Sequence, residues 1–461
     1  MKKTFIILVF IVLAGFVLGG IFLFGKMDKK QMLVGSLSAF EKVTRFLPMK
    51  ENTKKEIHAI DQFVKKFTAK DDKERRFLIL LQNNMELRPT GGFLGQYAIV
   101  KTKNGDITSL FVEDANLLNQ RIEADIDAPY PFDKMMEIKR WKFRDSNWYP
   151  DYPSSVEKVK YFYRLAGGND DFDGVVAVNA SVFNDALEIT GPIAVPGYPG
   201  EYNSENAVLK LEEQVERNFR YQGISVQNRK LILKKLAQIM AEKLVTVQNI
   251  PKLADLALEE LRNKNIQLYF EDSELQGLAE DVHWTGRVDR EWEGDYLMAV
   301  NANLGALKSD YYIDRKMNYT VDLTTPKPTA TLDITYTHNA ARGDWRTTDY
   351  HSYLRVYVPK GAELLEREMV SYPNIQENHG RKYFGFVFHA LMNRQTTATM
   401  KYSLPESIKD DYKLLIQKQS GVGDVPVKVK VITEDGEYNQ EEVLKKDLKL
   451  NFIKEKKKVA S

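Results

Sequence analysis

The chain has 461 residues, a formal net charge of +2 and no cysteine. Its length suits two or three domains, and its balanced charge excludes the strongly basic character of a general nucleic-acid-binding protein. Without cysteine, the protein has no disulfide, no thiolate metal site, no cysteine nucleophile and no lipobox-type lipoprotein anchor.

The first predicted element is a transmembrane helix. Residues Phe5 to Gly25 read "FIILVFIVLAGFVLGGIFLFG" and carry no charge. At about 1.5 Å per residue the segment is long enough to cross a hydrocarbon core of roughly 30 Å. Two lysines precede it, and the apolar run continues past its glycine pair, which favours an uncleaved anchor over a cleaved signal peptide. We therefore predict a single-pass membrane protein anchored by residues 1–27, with the bulk of the chain extracytoplasmic.

Residues 28–70 are predicted to form a helical stalk. The stretch "ENTKKEIHAIDQFVKKFTA" places apolar residues at helical spacing along one face. Such a helix would separate the anchor from the domain that follows.

Residues 71–315 alternate strands with helices, which predicts an α/β fold: a layered α/β/α domain with a mixed central sheet. Continuous apolar runs such as "RRFLILLQ" and "FDGVVAVN" are typical of strands buried on both faces. "KNGD", from Lys103 to Asp106, predicts a tight hairpin turn. "GDYLMAVNAN", from Gly294 to Asn303, is predicted as the last strand of the same sheet.

Residues 316–455 change to an alternation of apolar and polar residues, as in "TATLDITYTH" and "HSYLRVYVPKG". This pattern, with frequent turns, predicts an all-β sandwich with an immunoglobulin-like layout. Residues 456–461 are predicted to be a basic, frayed tail. We expect a cut near residue 316 to leave two independently folded pieces.

Charged side chains stand where predicted loops meet buried strands. Ligands bind outside the strand ends of an open α/β sheet, and arginine suits bidentate contacts with phosphate or carboxylate groups. We expect one cleft to collect Arg88, Arg144, Asp145, Lys308 and Asp310. As a rim residue, Arg88 should then contribute little to stability. The alternative is that these residues fix loops through hydrogen bonds and ion pairs.

The stretch "LLQNNMELRPTGGFLGQY", from Leu80 to Tyr97, supplies several of these polar residues between two apolar strands. The remaining ligand-binding candidates are Asn83, Asn84, Glu86, Asp114 and Arg229.

Other site chemistry has little support in the sequence. None of the six histidines forms a metal-spaced pair with another. There is no G-x-S-x-G motif and no P-loop, so neither an α/β-hydrolase nor an NTPase is indicated.

Several long motifs resemble, in order, the bacterial family catalogued as domain of unknown function 4012. They include "LLQNNMELRPTGGFLGQYAIV", "RDSNWYPDYP", "FDGVVAVNASVFNDALEITGPIAVPG" and "YLRVYVPKGAELL", and they extend over roughly residues 75–430. The family name implies no activity.

The central domain is more distantly similar to the LytR–CpsA–Psr family. That resemblance implies a membrane-anchored enzyme that transfers glycopolymers from polyprenyl diphosphate carriers to the cell wall, with magnesium and arginines holding the diphosphate. "LILLQNNMELRP" looks like that family's first strand, and Arg88 occupies its arginine position.

The chain departs from that family at three places. It has Gly95–Gln96 for a Ser-Asp pair, Glu113–Ala115 for Pro-Arg-Asp, and Asn228–Lys230 for Arg-Gln-Gln. A magnesium ligand and at least one diphosphate-binding arginine are thereby missing, which weakens a phosphotransferase-like activity and leaves open whether the protein is an enzyme.

Two functions stay open on the sequence. The first is a membrane-anchored envelope protein that binds or transfers polyprenyl-diphosphate-linked glycans, with Mg²⁺ as the one cofactor that the resemblance implies. The second is a non-catalytic cell-surface structural or adhesion protein. The expected partners are the membrane, through the N-terminal helix, and a polyprenyl-linked glycan or cell-wall polymer, with no nucleic acid.

Overall fold

The computed structural model describes residues 38, 41–42, 48–225, 228–229, 231–244 and 246–452. The predicted anchor, residues 1–27, and the predicted tail, residues 456–461, lie outside this part of the chain. Among the described residues, no helix is both long enough and apolar enough to cross a membrane.

The chain divides into two compact units, each built from three stretches. Within the described part of the chain, unit 1 consists of the residues up to Asn83 together with Leu94–Ala124 and Tyr152–Gly286, and unit 2 consists of Asn84–Phe93, Asp125–Asp151 and the residues from Arg287 onward. The observed division therefore falls at Gly286/Arg287, before the predicted boundary at 315/316.

The helices, in chain order, are α1 Glu51–Thr68, α2 Ala115–Gln120, α3 Phe132–Met136, α4 Tyr152–Leu165, α5 Ser181–Thr190, α6 Ala207–Glu213, α7 Phe219–Tyr221, α8 Leu231–Leu244, α9 Ile250–Arg262 and α10 Ser273–Asp281. A π-helical turn, Gln214–Asn218, joins α6 to α7. Short 3₁₀ turns occur at Phe143–Asp145, Val247–Asn249, Ser309–Tyr312 and Glu406–Ile408.

The strands that begin in the first two thirds of the chain are β1 Glu74–Arg88, β2 Gly91–Lys103, β3 Asp106–Asp114, β4 Gly174–Asn179, β5 Ile193–Ala194, β6 Glu201–Tyr202, β7 Ile266–Phe270 and β8 Asp295–Asn303. The remaining strands are β9 Ile313–Asp322, β10 Thr329–His338, β11 Tyr350–Val358, β12 Glu363–Glu368, β13 Asn374–Asn378, β14 Arg381–Ala390, β15 Arg394–Ser403, β16 Lys413–Ile416, β17 Val425–Thr433, β18 Gly436–Leu444 and β19 Leu448–Asn451.

Unit 1 has the predicted mixed α/β character. Its five-stranded sheet has the order β3-β2-β1-β4-β7, with β1 and β4 parallel and β4 and β7 antiparallel. The predicted hairpin turn between β2 and β3 is confirmed: Asn104 and Gly105 both have positive φ, at 53° and 80°, as a type I′ turn requires.

Helix α1 belongs to the core of unit 1 and is not a free stalk. Its residues Phe63 and Phe67 are buried, and the Phe63 ring lies 5.1 Å from that of Phe270 on β7. Burying a phenylalanine contributes roughly 1.5–3 kcal/mol, so the apolar face that suggested a stalk stabilises the α/β unit instead.

Unit 2 is strand-rich. Its two six-stranded sheets have the orders β12-β15-β10-β9-β17-β18 and β13-β14-β11-β8-β16-β19, and both contribute to one apolar core. Every second residue of β10 is buried, as the period-two pattern predicts. Each sheet contains one parallel pair, β17 with β9 and β16 with β8, so the layout differs from a wholly antiparallel immunoglobulin sandwich.

Strand β8 corrects one prediction. It was expected in the α/β sheet, but it pairs with β11 and β16 in unit 2. All but one of its residues are buried, and a strand buried on both faces has the same sequence pattern in either kind of sheet.

Candidate functional site

The charged residues predicted to line a cleft form a buried polar network in unit 2. Arg88, Asp145 and Asp310 are only 1%, 3% and 9% exposed. Arg88 Nη2 donates to Asp145 Oδ1 over 3.3 Å, and Arg88 Nη1 donates to the backbone oxygen of Asn303 over 2.5 Å. The structure brings these residues together, but it encloses them, and the expectation of an open rim at Arg88 is corrected.

Asp310 is the acceptor at the centre of this network. Its Oδ2 accepts from the Leu87 N–H at 3.0 Å and from Asn303 Nδ2 at 2.9 Å. Its Oδ1 accepts from Arg315 Nη2 at 2.5 Å and from the Tyr350 hydroxyl at 2.8 Å. Four donors thus compensate one buried carboxylate, as burial of a charge requires.

The charge of Asp310 also acts on its cationic partner. Burial by itself lowers the pKa of Arg315, but the electrostatic effects of Tyr350 and Asp310 outweigh it and raise that pKa above its ordinary value. The guanidinium of Arg315 therefore stays charged in the interior.

Asp145 is held from a second side by Arg144. Arg144 Nε lies 3.3 Å from Asp145 Oδ2, and its side chain is 34% exposed. The Asp145 backbone oxygen accepts from Trp141 Nε1 at 2.9 Å. Arg144 is therefore the partly exposed member of the pair of arginines that neutralises Asp145.

The backbone of the "RPTGG" stretch packs closely against Gly421. Gly421 has a φ of +79°, and a Cβ at that position would overlap the backbone of Gly91. Gln419 Nε2 donates to the Arg88 backbone oxygen at 3.2 Å, and Asn147 Nδ2 donates to the Gly92 oxygen at 2.8 Å. Glycine is needed at position 421 because the two backbones approach closely.

Two further candidates, Asn84 and Glu86, also belong to unit 2. Asn84 Nδ2 donates to the Gly421 backbone oxygen at 3.3 Å, and Glu86 Oε1 accepts from Arg88 Nη2 at 3.2 Å. Lys308 stands two residues before Asp310 and is half-buried. Its backbone N–H donates to the Arg346 oxygen at 2.7 Å.

Three candidates lie in unit 1 and so do not join this network. Asp114 caps helix α2 by accepting from the Asn116 N–H at 2.9 Å. Asn83 Nδ2 contacts Glu212 Oε1 at 3.4 Å, and Arg229 Nη1 contacts Glu216 Oε2 at 2.8 Å.

The last two contacts place both residues against one helical segment. Glu212 is in α6 and Glu216 is in the π-helical turn that follows, and such turns occur frequently at functional sites. Arg217 in the same turn is exposed, as is Arg220 in α7. Asn83 immediately follows the segment of β1, Phe77 to Gln82, that pairs in parallel with β4. Exposed arginines therefore belong to the segment that contacts β1 at the point where its pairing with β4 ends.

The residues that the family resemblance connects with magnesium do not fit a magnesium site. Glu113 accepts from the Tyr97 hydroxyl at 2.6 Å and from Arg121 Nη1 at 3.0 Å. Burial, followed by the effect of Glu113, raises the pKa of Tyr97. Across the described ranges, no group of three or more His, Cys, Asp or Glu side chains could hold a metal ion.

Some members of the buried network were missed by sequence reasoning. Arg315 and Gln419 lie more than two hundred residues from Arg88 in sequence, and no local pattern marks them as its neighbours. The sequence also gave no pairing for His351 and His389, which the structure places side by side on β11 and β14.

Residues 72–215 match the model of a family described as "Protein of unknown function (DUF4012)", which confirms the family resemblance inferred from the motifs. The matched range is less than half of the chain. No curated protein matches the chain.

Three solved structures are similar to part of the chain, each with 14% sequence identity. The Lin1025 protein from Listeria innocua has a TM-score of 0.24, and the match covers 47% of this chain and 81% of the Lin1025 chain. TagV from B. subtilis has a TM-score of 0.25, with coverage of 48% and 84%. The transcriptional regulator yvhJ from Bacillus subtilis has a TM-score of 0.20, with coverage of 47% and 100%. Lin1025 and TagV are LytR–CpsA–Psr family proteins, but similarity at these TM-scores has no bearing on function.

Proposed function

We propose that this protein is a membrane-anchored, extracytoplasmic protein of the cell envelope, and that unit 1 binds glycans linked to a polyprenyl diphosphate. The apolar segment Phe5–Gly25 supports the anchor. The motifs that resemble the LytR–CpsA–Psr family support the ligand class. The proposal is for binding, because the residues connected with magnesium do not fit a metal site.

One observation carries the choice of site. Three arginines belong to one helical segment: Arg217 lies in the π-helical turn, Arg220 lies in α7, and Arg229 forms an ion pair with Glu216 of the turn. Glu212 of the same segment contacts Asn83, which follows the residues of β1 that pair with β4. The carboxyl ends of parallel strands are where open α/β sheets bind ligands. Arginine gives two parallel N–H donors to a phosphate, so several exposed arginines suit a diphosphate better than a neutral ligand.

The test is calorimetric titration of the full-length protein, in detergent micelles, with a short-chain polyprenyl diphosphate. We expect Arg229→Ala to weaken binding by about 10- to 100-fold, which corresponds to the roughly 1.5–3 kcal/mol of a charge-assisted hydrogen bond. Arg164→Ala is the matched control, because Arg164 is an exposed arginine of unit 1 that pairs with Asp170; this variant should bind like the wild type.

The second candidate function is a non-catalytic structural or adhesion protein of the cell surface. The enclosed network around Arg88 and Asp310 favours it, because that network uses the motif's charges for packing within unit 2. An absence of binding by the wild type at millimolar ligand would contradict the first function and favour this one.

A further inference from the structure

Two histidines of unit 2 direct ring nitrogens at each other. His351 on β11 is directly opposite His389 on β14 in the antiparallel register. Their Nδ1 atoms are 2.5 Å apart, and their ring centroids are 4.7 Å apart with the planes at 76°. The two Nδ1 atoms therefore face each other across one short contact.

This pair is open to solvent. The residues before and after each histidine are buried, whereas His389 is exposed and His351 is half-buried. Because successive side chains of a strand point to opposite faces, both imidazoles stand on the face of the sheet opposite the apolar core that the two sheets share. Further along β11, Tyr353 and Arg355 on the same face are buried, but the exposed ring of His389 gives an ion access to the pair.

Two arrangements account for such close nitrogens. In the first, one neutral ring donates an N–H to the other, which satisfies a single hydrogen bond. In the second, both Nδ1 atoms bind one metal ion. Metal–imidazole bonds are about 2.0–2.1 Å long, which sets two such nitrogens about 3 Å apart. The register of β11 against β14 places the two rings as direct cross-strand neighbours, which is close enough for one ion to bind both nitrogens.

We propose that His351 and His389 form a binding site for a divalent transition-metal ion that prefers imidazole, such as Zn²⁺, Cu²⁺ or Ni²⁺. Mg²⁺ and Ca²⁺ take oxygen ligands and are disfavoured here. No third His, Cys, Asp or Glu side chain joins the pair in the described part of the chain. The two imidazoles thus occupy two coordination positions, and water fills the others. This site involves neither the buried network around Asp310 nor the arginines of unit 1, so it goes beyond the proposed glycan binding.

The experiment uses the untagged full-length protein, titrated with Zn²⁺ by calorimetry and with Cu²⁺ under electron paramagnetic resonance. We expect one ion per chain and a copper spectrum with coupling to two nitrogens. His351→Ala and His389→Ala should each weaken zinc binding by at least tenfold and remove the two-nitrogen spectrum. His283→Asn is the matched control, because it removes an exposed histidine of unit 1 that has a positive φ of 60°, and it should bind zinc like the wild type.

A thermal measurement separates loss of the site from loss of the fold. An ion that binds only the folded state raises the unfolding temperature, so zinc should raise it for the wild type and for His283→Asn, but not for His389→Gln. His389→Gln should have the wild-type unfolding temperature when no zinc is added. No zinc binding at millimolar concentration, or equal binding by the wild type and both alanine variants, overturns the proposal and leaves the pair as a hydrogen bond between two imidazoles.

Discussion

The arginine-bearing segment of unit 1 and the arginine-bearing network of unit 2 use the same residue type in opposite environments. Arg217 and Arg220 are exposed to solvent, whereas Arg88 is 1% exposed and contacts Asp145 and Asn303. A ligand can reach an exposed arginine from solvent, whereas a buried arginine is enclosed by the partners that compensate its charge. Solvent exposure, and not residue type, decides which arginines suit a ligand.

The largest expected effect comes from cutting unit 2 at the boundary that the sequence suggested. A fragment of residues 316–461 lacks β8, which lies between β11 and β16 in its sheet, and also lacks the stretches 84–93 and 125–151. We expect this fragment to show no cooperative unfolding in a circular dichroism melt, while the full-length protein does. A cooperative transition of the isolated fragment would show that β8 is dispensable and that the network is peripheral.

The next largest effect is expected at the central acceptor of the network. Asp310→Asn keeps the shape of the side chain but leaves Arg315 without its buried counter-ion, which should cost about 3–5 kcal/mol of unfolding free energy. Asp344→Asn is the matched control, because Asp344 pairs with Arg346 in a partly exposed position. That variant should lose less than about 1 kcal/mol. Equal losses in urea denaturation would contradict the distinction between buried and exposed pairs.

A smaller and pH-dependent effect is expected at Asp295 on β8. Burial raises the pKa of Asp295 to about 6 from 3.8, although Tyr319 and Tyr412 each donate to its Oδ2 at 2.7 Å. The folded state therefore binds this proton more tightly than the unfolded state does. The resulting contribution is fully present below about pH 4 and is lost as the pH rises through about 6, and it amounts to on the order of 3 kcal/mol.

Unfolding free energies at pH 4 and pH 7 measure that contribution. Asp295→Asn cannot titrate, so it should lose less stability than the wild type between these pH values. Asp322→Asn serves as the control, because hydrogen bonds from Thr324 lower the pKa of Asp322 and its titration falls below this pH range. An unchanged pH dependence in Asp295→Asn would show that the carboxyl does not titrate in the folded state.

Local features of the fold were predictable from the sequence, and its long-range pairings were not. The strand predicted at Gly294–Asn303 is found as β8, Asp295–Asn303, and the Asn104-Gly105 turn follows from backbone preference alone. Both features depend on neighbours in sequence. The α/β class of unit 1 and the strand-rich character of unit 2 follow from hydrophobic periodicity in the same way.

The candidate site shows where such reasoning stops. The polar pattern around Arg88 is the same for a solvent-exposed rim and for a buried network, and the choice depends on Asp145, Asn303 and Gln419, which are distant in sequence. The closeness of His351 and His389 depends on the register of β11 against β14, which no local pattern fixes. Arg229, the one predicted arginine that lies in unit 1, is partly exposed, as a ligand contact requires.

The central claim is that Arg88 stabilises unit 2 from within, and one measurement tests it most directly. Equilibrium urea unfolding of Arg88→Ala should show a loss of about 3–5 kcal/mol, because the substitution leaves Asp145 with only its partly exposed partner and removes a donor to the Asn303 oxygen. Arg144→Ala, which removes the other arginine on Asp145, should lose less than about 1 kcal/mol. An Arg88→Ala protein as stable as the Arg144→Ala protein would contradict the claim and return Arg88 to the role of a solvent-facing ligand contact.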